Sequence, residues 1–139
     1  MQPQVADPRL GVWKLNLEKS KYGARPKPKS HTVTWAAQED GLIKYTAKGI
    51  DATDQPTHVE FSAKFDGKDY KVTGSPLLDT VAINRIDVLT SEATGKKEGK
   101  VILTTKGVIS EDGKTETNVW TGTDEKGQPQ SWTTVVEKQ

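Results

Sequence analysis

The sequence holds only two histidines, His31 and His58, and neither has a second ligand nearby at metal-binding spacing. Glu60 follows His58 at i+2, and in a strand that spacing puts an imidazole and a carboxylate on one face, where they can share a proton or a cation. A metal site would need further ligands from other strands, so His58 reads as a surface or cavity-lining polar residue and no metal is expected. Arg85, in "VAINRID", is the one arginine inside an expected strand, Arg9 and Arg25 being the others. Directed inward, it needs an anion, from Asp87 or from the acid group of a ligand, because an unpaired buried guanidinium is very costly. Arg85 is therefore the candidate ligand anchor. With His58 it is also the weak candidate for catalysis, which requires a base beside a nucleophile or two carboxylates in unlike environments. Asp51, Asp54, Asp69, Asp79 and Asp87 fall almost entirely at strand ends, where turns favour Asp anyway, and no Gly-x-Ser-x-Gly or phosphate-binding loop is present. Lys19, Lys21, Arg25, Lys27 and Lys29 follow one another with no acid among them. Such a run can draw an anion, but nucleic acid demands a wider basic surface with interleaved aromatics, and only Tyr22 is near. The expectation is a solvated, extended loop and no nucleic-acid partner.

The elements that must position these groups are strands. Helical periodicity is nearly absent, while short runs of Val, Ile, Thr, Trp and Tyr recur between Gly, Asp and Pro. The expected strands are 11–17, 31–38, 41–50, 57–65, 69–74, 79–86, 88–94, 100–109, 115–122 and 130–137. Hairpin tips are marked by "EDG" at 39–41, "FDGK" at 65–68, "KEGK" at 97–100, "EDGK" at 111–114 and "DEKG" at 124–127. A meander of this length has two edges to protect, and closure removes both, so an antiparallel up-and-down β-barrel of about 8–10 strands is expected, with a two-layer sandwich as the competitor. At 139 residues the chain is one domain's worth, with 1–10 a flexible N-terminal segment and 18–30 a basic loop that Pro26 and Pro28 keep extended. "YTAKGI" at 45–50 resembles "LTTKGV" at 103–108, a similarity that meander hairpins also reach by convergence.

Composition narrows the classes. Lys plus Arg number 20 against 19 Asp plus Glu, so no global field recruits nucleic acid or membrane. Cysteine is absent, which excludes disulfides, thiolate zinc sites and a Cys nucleophile. No apolar run approaches the length of a membrane span, so no membrane insertion is expected. The start "MQPQVADPRLG" lacks the apolar region of a signal peptide, yet a polar start is also what remains once a signal is removed. The expectation is an exported protein, periplasmic or secreted, with the cytoplasm as the alternative.

Alternation assigns faces. Val59, Phe61, Ala63 and Phe65 share one face and His58, Glu60, Ser62 and Lys64 the other; Trp13 goes with Leu15 and Leu17, and Val33 with Trp35 and Ala37. In the last strands the choice is open: Trp120 goes with Asn118 and Glu116, and Trp132 with Thr134 and Val136. Many candidate inward positions are small or hydroxylic, including Ala47, Ala63, Thr46, Thr73, Thr105, Thr121 and Thr134, so complete apolar filling is hard to reach. A cavity with Thr hydroxyls and aromatic walls follows. The alternative is that Thr takes the outer face for its strand propensity and aromatics plug the interior.

"GVWKL", read with the ten-strand meander, resembles the calycin superfamily, the lipocalins and fatty-acid-binding proteins, whose first strand carries Gly-x-Trp. The match at Gly11, Trp13, Lys14 and Leu15, and the ending "VVEKQ", look most like the fatty-acid-binding branch. "GVWKLNLEKSKY" with "KFDGKDYKVTG" is similar to small bacterial lipocalin-like proteins without assigned function. The lipocalin resemblance implies that Trp13 closes one barrel end by packing. The fatty-acid-binding resemblance departs at two points: 18–30 cannot readily supply that family's helical lid, and Thr134 and Val136 stand where its Arg-x-Tyr carboxylate clamp belongs. The function expected is a monomeric carrier of a small hydrophobic or amphipathic ligand, without cofactor, bound by Trp35, Tyr45, Phe61, Tyr70, Arg85 and Trp120. A small barrel enzyme using a polar pair in the same cavity is the alternative.

Overall fold

The computed structural model describes residues 7–23, 25–123 and 126–139. Its ten strands are β1 (Gly11–Leu15), β2 (Ser30–Ala37), β3 (Ile43–Ile50), β4 (Pro56–Ala63), β5 (Tyr70–Thr73), β6 (Thr80–Arg85), β7 (Thr90–Lys97), β8 (Lys100–Ile109), β9 (Thr115–Thr123) and β10 (Pro129–Lys138). Each pairs antiparallel with its neighbours in sequence, and β1 closes on β10 with Trp13 opposite Lys138 and Leu15 opposite Val136. The sheet is one up-and-down barrel, and the two-layer alternative is excluded because no edge strand is left over. The only helical feature among the described residues is a 3-10 turn at Glu39–Gly41.

β8 has the limits expected, and the other strand limits lie within three residues of those expected. The strand expected at 88–94 runs from Thr90 to Lys97 because Asp87 first makes a turn, its carboxylate accepting from the Leu89 amide at 2.9 Å. A register shift at Gly95/Lys96 then lets the pairing with β8 continue. All five hairpin-tip glycines named above take positive φ, between 74° and 78°.

The meander gives the barrel two unlike ends. The start of β1 and the connections after β2, β4, β6 and β8 form the entry end; the β1–β2 loop and the turns after β3, β5, β7 and β9 form the far end. Inward side chains gather in two clusters. One holds Trp13, Val33, Ala47, Ile109 and Val136 with Leu15, Trp35 and Tyr45 against it; the other holds Ala63, Val72, Val81 and Ile83 with Phe61, Phe65 and Tyr70. Each such aliphatic side chain contributes roughly 1.5–3 kcal/mol on leaving water.

Two expectations need correction. Residues 7–10 are not a loose tail: the Leu10 amide bonds the Asp7 carbonyl at 3.1 Å and Arg9 is buried. Residues 1–6 lie outside the described residues. Thr46, Thr73 and Thr121 do not line the interior, since they alternate with inward-pointing Tyr45, Val72 and Trp120; Thr121 instead shares a hydrogen bond of 2.6 Å with Thr104 on the outer wall. Ala47, Ala63, Thr105 and Thr134 do point inward.

Candidate functional site

The entry end is sealed by the chain that leads into β1. Gly11 and Trp35 are register partners there, and the segment just before them folds over the opening. Trp13, fully buried, donates its indole Nε1–H to the Arg9 carbonyl at 2.9 Å, and Lys138 donates to the Pro8 carbonyl at 2.7 Å. Arg9 itself turns inward, makes a buried ion pair with Glu116 and lies 5.7 Å from the centre of the Trp35 ring. Beside it Arg85 bonds Asp7 at 2.6 Å and covers the Phe65 ring at 4.6 Å.

Below this seal lies an aromatic floor. Tyr45 and Phe61 stack with centroids 4.6 Å apart and planes 16° apart, and Trp35 meets both edge-on. Burial, with the nearby Glu116 charge adding to it, raises the Tyr45 phenol well above its ordinary pKa, so it stays a neutral hydroxyl.

Small side chains line the β7–β8 wall, from Ser91 and Gly107 beside Glu116 toward Gly95 at the far end. Ala93 faces Thr105, Ser91 faces Gly107, and Gly95 faces Leu103, across the β7–β8 pair. A Cβ at Gly107 would collide with Asn118 and one at Gly95 with Leu78, so these two glycines make room for the longer side chains. The Thr105 hydroxyl is buried with no hydrogen-bond partner among the described residues. At the far end Trp120 and Trp132, opposite each other on β9 and β10, lie with planes 4° apart and centroids at 5.9 Å. Trp120 donates to the Thr134 hydroxyl at 2.9 Å. The β1–β2 loop folds back over them: Lys21 bridges Thr133, Tyr22 is buried, and the Arg25 guanidinium sits 3.9 Å from the Trp132 ring centre. His31 faces inward with Val33 and Trp35, and burial lowers its pKa.

The residues singled out from sequence separate into three places. Trp35, Tyr45 and Phe61 come together as the floor, and Trp120 stands at the opposite end of the lumen. Tyr70 packs on the second cluster, but its hydroxyl turns to the rim and donates to Asp66 at 2.8 Å. Arg85 does face an anion, which proves to be Asp7 rather than Asp87. His58 lies on the outer wall, 51% exposed, 3.1 Å from Glu60, so His58 and Arg85 share no site. Arg9, Glu116 and Trp132 are the interior groups that sequence reasoning missed. The signal for Glu116 and Trp132 was their shared parity with Trp120 and Thr134; for Arg9 there was none, because it precedes the first strand.

No family model matches the chain, and no curated protein does. Similarity is found among solved structures. One, described as EF1p2_mFAP2b bound to DFHBI, aligns over 95% of this chain and 94% of its own at 10% identity with a TM-score of 0.49. Two redesigned β-barrels bound to DFHBI, mFAP1 and mFAP0, align over 95% of this chain, and over 95% and 99% of theirs, at 14% and 11% identity, each with a TM-score of 0.40. DFHBI is the ligand of those proteins.

Two open depressions lie on the outside of the barrel. Open grooves of about 560 and 330 Å³ run along the outer wall, the first over Thr32, Thr34, Thr46 and Lys48, the second over Lys106, Val108, Thr117 and Val119. Both are lined by outward side chains of single strand pairs and offer no convergent set of polar groups.

Proposed function

We propose that the barrel is a binding protein for one small, flat, apolar or amphipathic molecule, held between the Tyr45–Phe61 floor and the Trp120–Trp132 wall. One observation carries this reading. Phe61, Ala93, Leu103, Thr105 and Trp120 all point inward yet remain only partly buried, whereas Trp13, Ile109 and Val136 near the sealed end are buried. Accessible surface on the inside of a closed wall means space beside it. In this reading the expected cavity with Thr hydroxyls and aromatic walls shares the interior with its plugged alternative: aromatics and an ion pair fill the entry end, and the space beyond the Tyr45–Phe61 floor is offered to a ligand. The lipocalin-like character of "GVWKL" belongs to this reading, as does a monomeric, exported protein whose charged outer wall, with Lys48, Lys71, Glu92 and Lys106 exposed, suits water.

The test is fluorescence titration with the neutral aromatic probe N-phenyl-1-naphthylamine. Saturable enhancement accompanied by a shift in tryptophan emission is expected, and Thr105→Phe, which fills the lumen, should abolish both while circular dichroism and melting stay near wild type. A probe that shows no saturable response with the wild-type protein overturns the reading.

A further inference from the structure

The sequence holds three arginines, and the structure treats them unequally. Arg9 is matched by Glu116 and Arg85 by Asp7. Among the described residues no carboxylate lies within ion-pair distance of Arg25. Its guanidinium instead lies 3.9 Å from the centre of the Trp132 ring and makes a long hydrogen bond of 3.3 Å from Nη1 to the Gln130 side-chain oxygen. A guanidinium carries five N–H donors in one plane, and stacking on an indole covers that plane's face while leaving the edge free to donate. The loop's other charges are partly engaged: Lys19 is paired with Glu137, and Lys29 with Asp54.

Resting on the lumen reading above, we propose that Arg25 is an anion anchor at the far mouth, so that the preferred ligand is a planar aromatic acid. Its ring lies along the Trp120–Trp132 wall and enters the lumen toward Thr105, and its carboxylate or sulfonate takes the edge of the Arg25 guanidinium in a bidentate contact. The polarity is fixed by the barrel's two ends. At the sealed end both arginines are already matched, by Glu116 and Asp7, and Lys138 is turned onto the Pro8 carbonyl, whereas the far end presents a guanidinium held flat beside an aromatic wall.

The experiment compares two probes of the same ring system on the full-length protein: 1-anilinonaphthalene-8-sulfonate, which carries the anion, and neutral N-phenyl-1-naphthylamine. The wild type should bind the sulfonate more tightly, with an affinity that falls as salt rises. Arg25→Gln should weaken sulfonate binding about tenfold or more, flatten its salt dependence and leave the neutral probe unchanged. Arg25→Lys should fall between, because it keeps charge without the planar fork. Lys27→Gln, a charge change on the same loop at an exposed position, should leave both probes at wild-type affinity. Equal losses for both probes in Arg25→Gln, or sulfonate binding unmoved by it, would overturn the anchor while the lumen stands. Failure of both probes with the wild type overturns the lumen reading and the anchor together.

Discussion

Arg9 and Glu116, 107 positions apart in sequence, form an ion pair inside the end of the barrel, with each side chain only 6% exposed. The contact ties the segment before β1 to β9 and converts an open barrel end into a closed one. A buried pair is strongly coupled: either charge without the other is left in a medium that solvates it poorly.

Removing one partner should therefore be costly. Arg9→Ala or Glu116→Gln is expected to lower the unfolding free energy by about 3–5 kcal/mol in urea titration. Arg9→Met combined with Glu116→Leu should recover most of that loss, since apolar groups of similar volume carry no desolvation penalty. Single variants within about 0.5 kcal/mol of wild type would show that the seal is not formed in solution.

The Trp13 indole is completely enclosed and bonded to the Arg9 carbonyl. Trp13→Ala should cost about 3–5 kcal/mol, and Trp13→Phe less, because most of the packing survives and only the hydrogen bond is lost. Denaturation midpoints of the two variants falling together would argue that the bond and the larger ring add nothing.

His31 gives the barrel a pH dependence of known sign. Its imidazole has a folded pKa lowered by burial from the ordinary 6.5, so in the window just below 6.5 the unfolded chain takes up a proton that the folded one refuses. The stability contributed by neutral, buried His31 is thus complete above that value and lost as pH falls through the folded pKa. Melting temperature should drop between about pH 7 and 5 in the wild type. In His31→Gln the slope across that interval should shrink, and an identical slope would assign the effect to other groups.

The buried Thr105 hydroxyl has no hydrogen-bond partner among the described residues. Thr105→Val, which preserves shape, should raise stability by about 1 kcal/mol, as removing an unsatisfied polar group does. A loss of stability on thermal or urea unfolding would mean that the hydroxyl is satisfied within the lumen.

Gly74 has φ of 86°, and a Cβ there would strike the His58 carbonyl. Gly74→Ala should destabilise by more than about 1 kcal/mol, through backbone strain and collision together. Near-neutral unfolding would indicate that the β5–β6 turn relaxes freely.

The strands, their meander order and the glycines of the hairpin tips were legible in the sequence because each is a local matter. Alternation at Val59, Phe61 and Ala63 has a period that only a strand provides, and the tip glycines meet a backbone requirement that spans four residues. Barrel closure followed from the same reasoning, since ten strands in sequence order leave exposed edges unless the first meets the last. The face of Trp120 and Trp132 was not legible, because in β9 one parity sets Trp120 among Glu116 and Asn118 while the other sets Val119 among threonines, and in β10 both parities mix hydroxyl and apolar residues. Register decided it, by setting Trp120 opposite Trp132 and Glu116 opposite Val136. The partners of Arg9, Arg25 and Arg85 were likewise a tertiary outcome. A charge bonds whichever counterion the closed sheet brings within a few ångströms, and for Arg85 that was Asp7, 78 positions away, not Asp87 beside it. Local periodicity thus specified the wall of this barrel, while long-range pairing determined which end the segment before β1 closes.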